Sequence, residues 1–223
     1  MPYPDPMPNS RELILVRHGQ STANVKGTWQ GQMNFPLSEE GRRQAGMAGL
    51  VLSRETFDGL YSSPLSRAFE TASIIRSRTA FRGEVVPVEG LSERGGGILE
   101  GYTWAEQEQR NPELAKKFLA IPEKDRWALV GAETDEEVIA RFGDALASIG
   151  ASHPERSRIV IVSHGGVMRA YLRELFGPEV LPGAQRAANA SITRMQWDDA
   201  GPHLLELAAT SHLAEDPGPT TVE

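Results

Sequence analysis

Two short runs of uninterrupted apolar residues punctuate the chain, Leu13-Ile14-Leu15-Val16 and Ile159-Val160-Ile161-Val162. A strand covered on both faces reads this way, whereas a strand with one wet face alternates. Shorter strand signals lie at 58–62 and 85–88. Segments 191–197 and 203–209 flank Asp198-Asp199-Ala200-Gly201-Pro202 and predict an antiparallel pair. Helical spacing fills the intervals. Ser38 ahead of Glu39 and Glu40 predicts a helix start leading through Ala45, Ala48 and Val51. Ser63-Pro64 predicts a second, with proline in the first turn and Ala68, Ala72 and Ile75 on one face. Thr134 with Glu137 makes a capping-box pattern ahead of Val138, Phe142 and Leu146. Residues 165–176 supply a fourth helix. Strands alternating with helices predict a three-layer α/β sandwich, a mostly parallel central sheet with helices on both faces.

The stretch from about 91 to 131 breaks this alternation with glycines, isolated prolines, short helical pieces, Trp104 and Trp127. It predicts a small helical lid insertion over one end of the sheet, inside a single domain spanning 11–213. The proline-rich segment 1–10 and the segment 214–223 are expected to be flexible tails.

Charge narrows the partners. A net charge of −7 disfavours nucleic acid, which needs a basic surface, and an anionic membrane. A small anion stays open, because a few arginines in one cleft outweigh a negative surface locally. The chain has no cysteine, which removes disulfides, thiolate metal sites and cysteine nucleophiles together. No leader pattern and no apolar run of membrane length is visible, so the expectation is a cytoplasmic protein. A homodimer is compatible with this reading.

The chemistry gathers where strands end. Arg17-His18-Gly19 follows the first buried run and Ser163-His164-Gly165-Gly166 follows the other. Ligands of open α/β sheets bind at the carboxyl ends of parallel strands, so these two histidines can meet there. Glycine after each lets backbone N–H groups approach an anion, and the helix after His164 adds a positive terminus. Arg67, at the start of the helix after 58–62, reaches the same edge. Guanidinium forks match phosphate oxygens and stay charged. Glu93, after 85–88, is the candidate proton donor, with Glu100 and Glu106 as nearby alternatives. An imidazole nucleophile needs an acceptor on its second nitrogen to fix the tautomer. No carboxylate cluster with magnesium spacing accompanies these motifs, so neither metal nor cofactor is expected. His153 and His203 read as exposed bystanders, His212 as a structural histidine, Lys116-Lys117 as a solvated face, and the tryptophans as packing.

Leu-Val-Arg-His-Gly-Gln-Ser, Ser-Ser-Pro-Leu-Ser-Arg-Ala, Leu-Ser-Glu-Arg and Val-Ser-His-Gly-Gly resemble, in order, the motifs of the histidine phosphatase superfamily, also called phosphoglycerate mutase-like. The resemblance covers about residues 12–212. It implies that His18 attacks phosphorus to give a phosphohistidine, that Arg17, Arg67 and His164 bind the transferring group, and that Glu93 acts as acid and then base. It further implies substrate contacts from Asn24, Gln30 and Gly31, with Gly165 at the helix terminus.

Two branches of that family remain open. Mutases usually add paired arginines in an inserted stretch, and 101–131 holds only Lys116-Lys117 as a basic pair. Gly95-Gly96-Gly97 stands where relatives often carry aromatic or histidine side chains, which predicts a wider or more mobile pocket and a bulky ester. The reading is therefore a metal-independent phosphomonoester hydrolase acting on a small phosphorylated metabolite. Mutase-type transfer is the alternative, and a non-catalytic phosphate-binding adaptor is the remote one.

Overall fold

The computed structural model describes residue 6 and residues 9–123, 125–182 and 187–214. In chain order the elements are β1 (Arg11–Arg17), α1 (Thr22–Lys26), α2 (Glu39–Leu52), β2 (Gly59–Ser62), α3 (Ser66–Arg78), β3 (Val86–Pro87), α4 (Trp104–Arg110), α5 (Pro112–Ala120), α6 (Arg126–Leu129), α7 (Asp135–Ala151), β4 (Arg158–Ser163), α8 (Gly165–Phe176), β5 (Ile192–Asp198), β6 (Gly201–Ala209) and α9 (Ser211–Ala214). The strands form one sheet of order β3-β2-β4-β1-β5-β6. Its first four strands are parallel, and β5 and β6 close it as an antiparallel hairpin. The two uninterrupted apolar runs are thus the paired central strands, with Leu13 opposite Ile159 and Val16 opposite Val162.

Side-chain alternation on those strands builds two cores. Leu13, Leu15, Ile159 and Ile161 pack with Val138, Phe142 and Leu146 of α7 and Val167, Met168 and Tyr171 of α8. Ile14, Val16, Val160 and Val162 pack with Ala48 and Leu52 of α2 and Ala68, Ala72 and Ile75 of α3. Helices therefore cover both faces, as expected. The inserted segment carries a third cluster of its own, Leu99, Phe118, Trp127, Val130 and Ala132, against which Trp29 and Trp104 pack. Backbone bonds tie it to the loop after α1: Trp29 N–H donates to the Tyr102 carbonyl, and Gly101 N–H to that of Trp29.

Several local expectations shift. Pro64 lies ahead of α3, whose N-cap is Leu65, because the Ser63 hydroxyl accepts from the Leu65 N–H and holds a turn there. Helix α1 has no counterpart in the sequence reading, although Ser21 and Asn24 form a complete capping box. His153 is half-buried, bonded to the Tyr61 hydroxyl at 2.9 Å, and not exposed. His212 is buried with Nε2 3.0 Å from the Ala190 carbonyl, the structural role expected of it. Ser10 is buried and its carbonyl accepts from Arg156 N–H, and Ala214 ends α9. The rest of the two expected tails, apart from residues 6 and 9, lies outside the described residues. Among the described residues no helix is long and apolar enough to cross a membrane.

Candidate active site

The carboxyl ends of β1, β2 and β4 converge on one cavity of about 400 Å³, a size usual for small-molecule sites. His18 is fixed by its backbone first. Its N–H donates to the Ser163 carbonyl at the end of β4, and its own carbonyl accepts from Ala190 N–H and the Asn189 amide. Its ring is buried, with Nδ1 2.6 Å from the Gly19 carbonyl. A carbonyl can only accept, so Nδ1 carries the proton and Nε2 the lone pair. Burial lowers the His18 pKa well below 6.5, and His164, Arg17 and Arg67 lower it further. The ring is neutral and tautomerically fixed, with its lone pair on Nε2.

His164 caps α8 and stacks obliquely on His18, the ring centroids 5.0 Å apart. Its Nε2 lies 2.8 Å from the Ser63 hydroxyl. Burial, then Arg67 and Arg17, lower its pKa too. It stands behind the cavity wall, not on it. Arg17 and Arg67 both line the cavity. Arg17 donates to the Ala187 carbonyl, and Arg67 donates from Nη1 and Nη2 to the Met33 and Gly31 carbonyls, both at 2.8 Å. Burial lowers the Arg67 pKa to about 10, which leaves it cationic at neutral pH.

Glu93 also lines the cavity. Its carboxylate accepts from the backbone N–H groups of Arg94, Gly166 and Val167 at 2.8–2.9 Å, so it sits on the N-terminus of α8. A Cβ on residue 166 would stand 2.6 Å from Glu93 Oε1, which is why glycine is needed there. The other acids have different work. Glu100 accepts from Gln32 and Gly96 N–H, and Glu106 closes the capping box of α4.

Asn24 and Gln30 line the cavity, and both are anchored through Ser21. Asn24 Oδ1 accepts from the Ser21 backbone and from Asn189, which turns its donor end into the one available to a ligand. Gln30 Oε1 accepts from the Ser21 hydroxyl at 2.7 Å. Gly31 lines the cavity as well. Gly165 does not: it makes room for Arg17, whose Nε would stand 3.0 Å from a Cβ at 165, and Gly166 takes the lining position. The triple glycine is closely held. Gly95 N–H donates to Glu133, Gly96 N–H to Glu100, and a side chain on Gly97 would collide with the Val130 carbonyl. Gly96 and Gly97 thus sit in close packing, and of the three only Gly96 faces the cavity.

Residues that sequence reasoning missed complete the lining: Arg94, Glu123, Arg126 and Arg169. Trp127 lines it while also packing against Phe118 and Trp29. Arg94 follows Glu93 in a loop, while Arg126 sits on α6 and Arg169 on α8, where a single arginine carries no signal of its own. Among the described residues, no group of three or more His, Asp or Glu side chains is placed to hold a metal ion.

The sequence profile of the family described as histidine phosphatase superfamily (branch 1) matches residues 13–210. The chain is 39% identical to the metal-independent phosphoserine phosphatase of Arabidopsis thaliana, over 73% of its own length and 68% of that protein. It is 32% identical to phosphoserine phosphatase 1 of Hydrogenobacter thermophilus, over 92% and 95% of the two chains. The structure of a mycobacterial glucosyl-3-phosphoglycerate phosphatase in complex with VO3 superposes with a TM-score of 0.75 at 32% identity, covering 90% of this chain and all of that one. By profile and by relatives, the chain belongs to the histidine phosphatase superfamily, branch 1.

Proposed function

We propose that this cavity hydrolyses phosphomonoesters of small metabolites through a phosphohistidine on His18 Nε2. The observation that carries the reading is a neutral, buried His18 with Nδ1 tied to the Gly19 carbonyl, in one cavity with Arg17, Arg67 and Glu93. The Nε2 lone pair forms a bond to phosphorus as the phosphorus–oxygen ester bond breaks. The departing oxygen takes its proton from Glu93. Water then attacks phosphorus and gives its proton to Glu93, and the phosphorus–nitrogen bond breaks with its electron pair returning to Nε2. Arg17, Arg67 and the Asn24 amide surround the phosphoryl oxygens and oppose the charge that develops on them, with His164 behind them against the His18 ring.

The relatives that are phosphoserine and glucosyl-3-phosphoglycerate phosphatases support a small phosphorylated substrate. Phosphate release from a panel of phosphomonoesters, in EDTA, tests the reading. Turnover should continue in EDTA and fall by about 10³-fold or more in His18→Ala. Full activity in that variant, or a strict need for added magnesium, overturns it. Isomerisation of 3-phosphoglycerate faster than its hydrolysis would favour the mutase alternative.

A further inference from the structure

The peptide that fixes the His18 tautomer is itself held from outside the cavity. His18 Nδ1 bonds the Gly19 carbonyl, which belongs to the peptide joining Gly19 to Gln20. No peptide bond among the described residues is cis, so the N–H of that peptide points away from its carbonyl. It donates to Gln44 Oε1 of α2 at 2.9 Å. The preceding peptide is held in the same way: Gly19 N–H donates to Thr71 Oγ1 of α3 at 3.1 Å. The Thr71 hydroxyl gives its proton to the Arg67 carbonyl at 2.7 Å, so towards Gly19 it can only accept. The Gln44 amide is oriented as well. Its other end bonds the Glu40 carboxylate one turn earlier, an acceptor, which leaves Oε1 for Gln20.

Two helices supply this hold because glycine at 19 cannot. A Cβ on Gly19 would collide with the Gly41 carbonyl, and one on Gly41 with the Gln20 carbonyl, so the loop lies directly against the start of α2. The glycine that this approach requires offers little resistance of its own to rotation of the backbone. A half-turn of the Gly19–Gln20 peptide would bring an N–H to Nδ1 in place of a carbonyl. The ring would then carry its proton on Nε2, and the lone pair would stand on the wrong nitrogen. We propose that Gln44 and Thr71 are positioning residues that clamp the two peptides of Gly19 and thereby keep the His18 lone pair on Nε2, an inference that rests on the phosphatase reading of the cavity. Neither residue lines the cavity, so both act on His18 without touching substrate.

The ring itself reports the clamp. Long-range nitrogen–proton spectra of isotope-labelled protein separate the two tautomers at neutral pH, with the His18 signals identified by their loss in His18→Ala. The parent should show His18 protonated on Nδ1 alone. Gln44→Met keeps the side-chain length and removes the acceptor, so part of the His18 population should carry its proton on Nε2. With it kcat/KM should fall about three- to tenfold. Affinity for inorganic phosphate, which the arginines hold, should stay within about twofold of the parent. Gln44→Glu restores an acceptor and should recover part of both losses. Thr71→Val, close in volume, should move ring and rate the same way from the other helix, and it stands in where Gln44→Met does not fold. A ring still protonated on Nδ1 alone in the folded variants overturns the proposal, even where the rate falls. A change of tautomer with no loss of rate upholds the clamp and removes His18 as the nucleophile, and the phosphatase reading with it.

Discussion

Two neutral histidines buried among arginines leave a signature in stability. Burial comes first among the causes that hold His18 and His164 well below 6.5 in the folded protein, with the neighbouring guanidiniums adding to it. As pH falls through 6.5 the unfolded chain takes up protons on both rings while the folded chain does not. The unfolded state then binds more protons, and stability falls with falling pH until the folded rings also charge. Each ring contributes at most about 1.4 kcal/mol per pH unit in that window and nothing above it. Urea unfolding from neutral pH to about pH 5 should therefore show a shallower loss in His164→Asn than in the parent, and equal slopes would refute the assignment. These two residues were legible because each stands at the end of a strand built on a buried apolar run, one residue past it, where topology leaves little choice of location. Arg126 and Arg169 were not, since a single arginine at helical spacing looks the same whether it faces water or a cavity. Asn189, which ties the His18 carbonyl to Asn24, lies in a loop with no pattern to announce it.

The acid loop shows what elements add to residues. Arg141 of α7 donates from Nη1 to the Gly90 and Ser92 carbonyls, both at 2.9 Å, and from Nη2 to the Glu93 carbonyl. It also grips both oxygens of Glu133, which accepts from Gly95 N–H. One side chain thus pins the segment on either side of Glu93, while the α8 terminus receives the carboxylate. Arg141 is a positioning residue. Arg141→Met should slow hydrolysis of an alkyl phosphate by about tenfold more than that of p-nitrophenyl phosphate, whose leaving oxygen needs little help from an acid. An equal loss on both esters would mean that Arg141 only supports the fold. Helices α2 and α7 could be read from the sequence because their caps, Ser38 and Thr134 with Glu137, are local signals. The start of α3 could not, because a turn held by the Ser63 hydroxyl displaced Pro64 from the helix it was expected to open. The two-residue β3 marks the limit of the strand signal, with half of its apolar run left exposed at the sheet edge.

Across the whole molecule the sheet divides labour between its two ends. Strand order was beyond the sequence reading, since it depends on pairings such as β1 between β4 and β5 that join distant segments. That order sets Glu12, at the amino end of β1, beside Arg158 of β4 and Arg194 of β5. Glu12 bonds Arg158 at 2.7 Å and Arg194 at 2.8 Å, and Glu55 bonds Arg194 from the loop after α2. All four side chains are at most 4% exposed. Two positive and two negative charges cancel, which makes the cluster tolerable in a dry interior; removing one leaves a buried charge uncompensated. Glu12→Gln should therefore lower unfolding free energy by about 3 kcal/mol or more. His18 lies at the other end of the same strand, separated from Glu12 by the core residues Leu13–Val16, so kcat/KM of the protein that remains folded should stay near the parent value. Denaturant titration and initial rates on one preparation decide this together. A drop in kcat/KM that tracked the loss of stability would show that the ionic cluster and the phosphoryl site are coupled through β1.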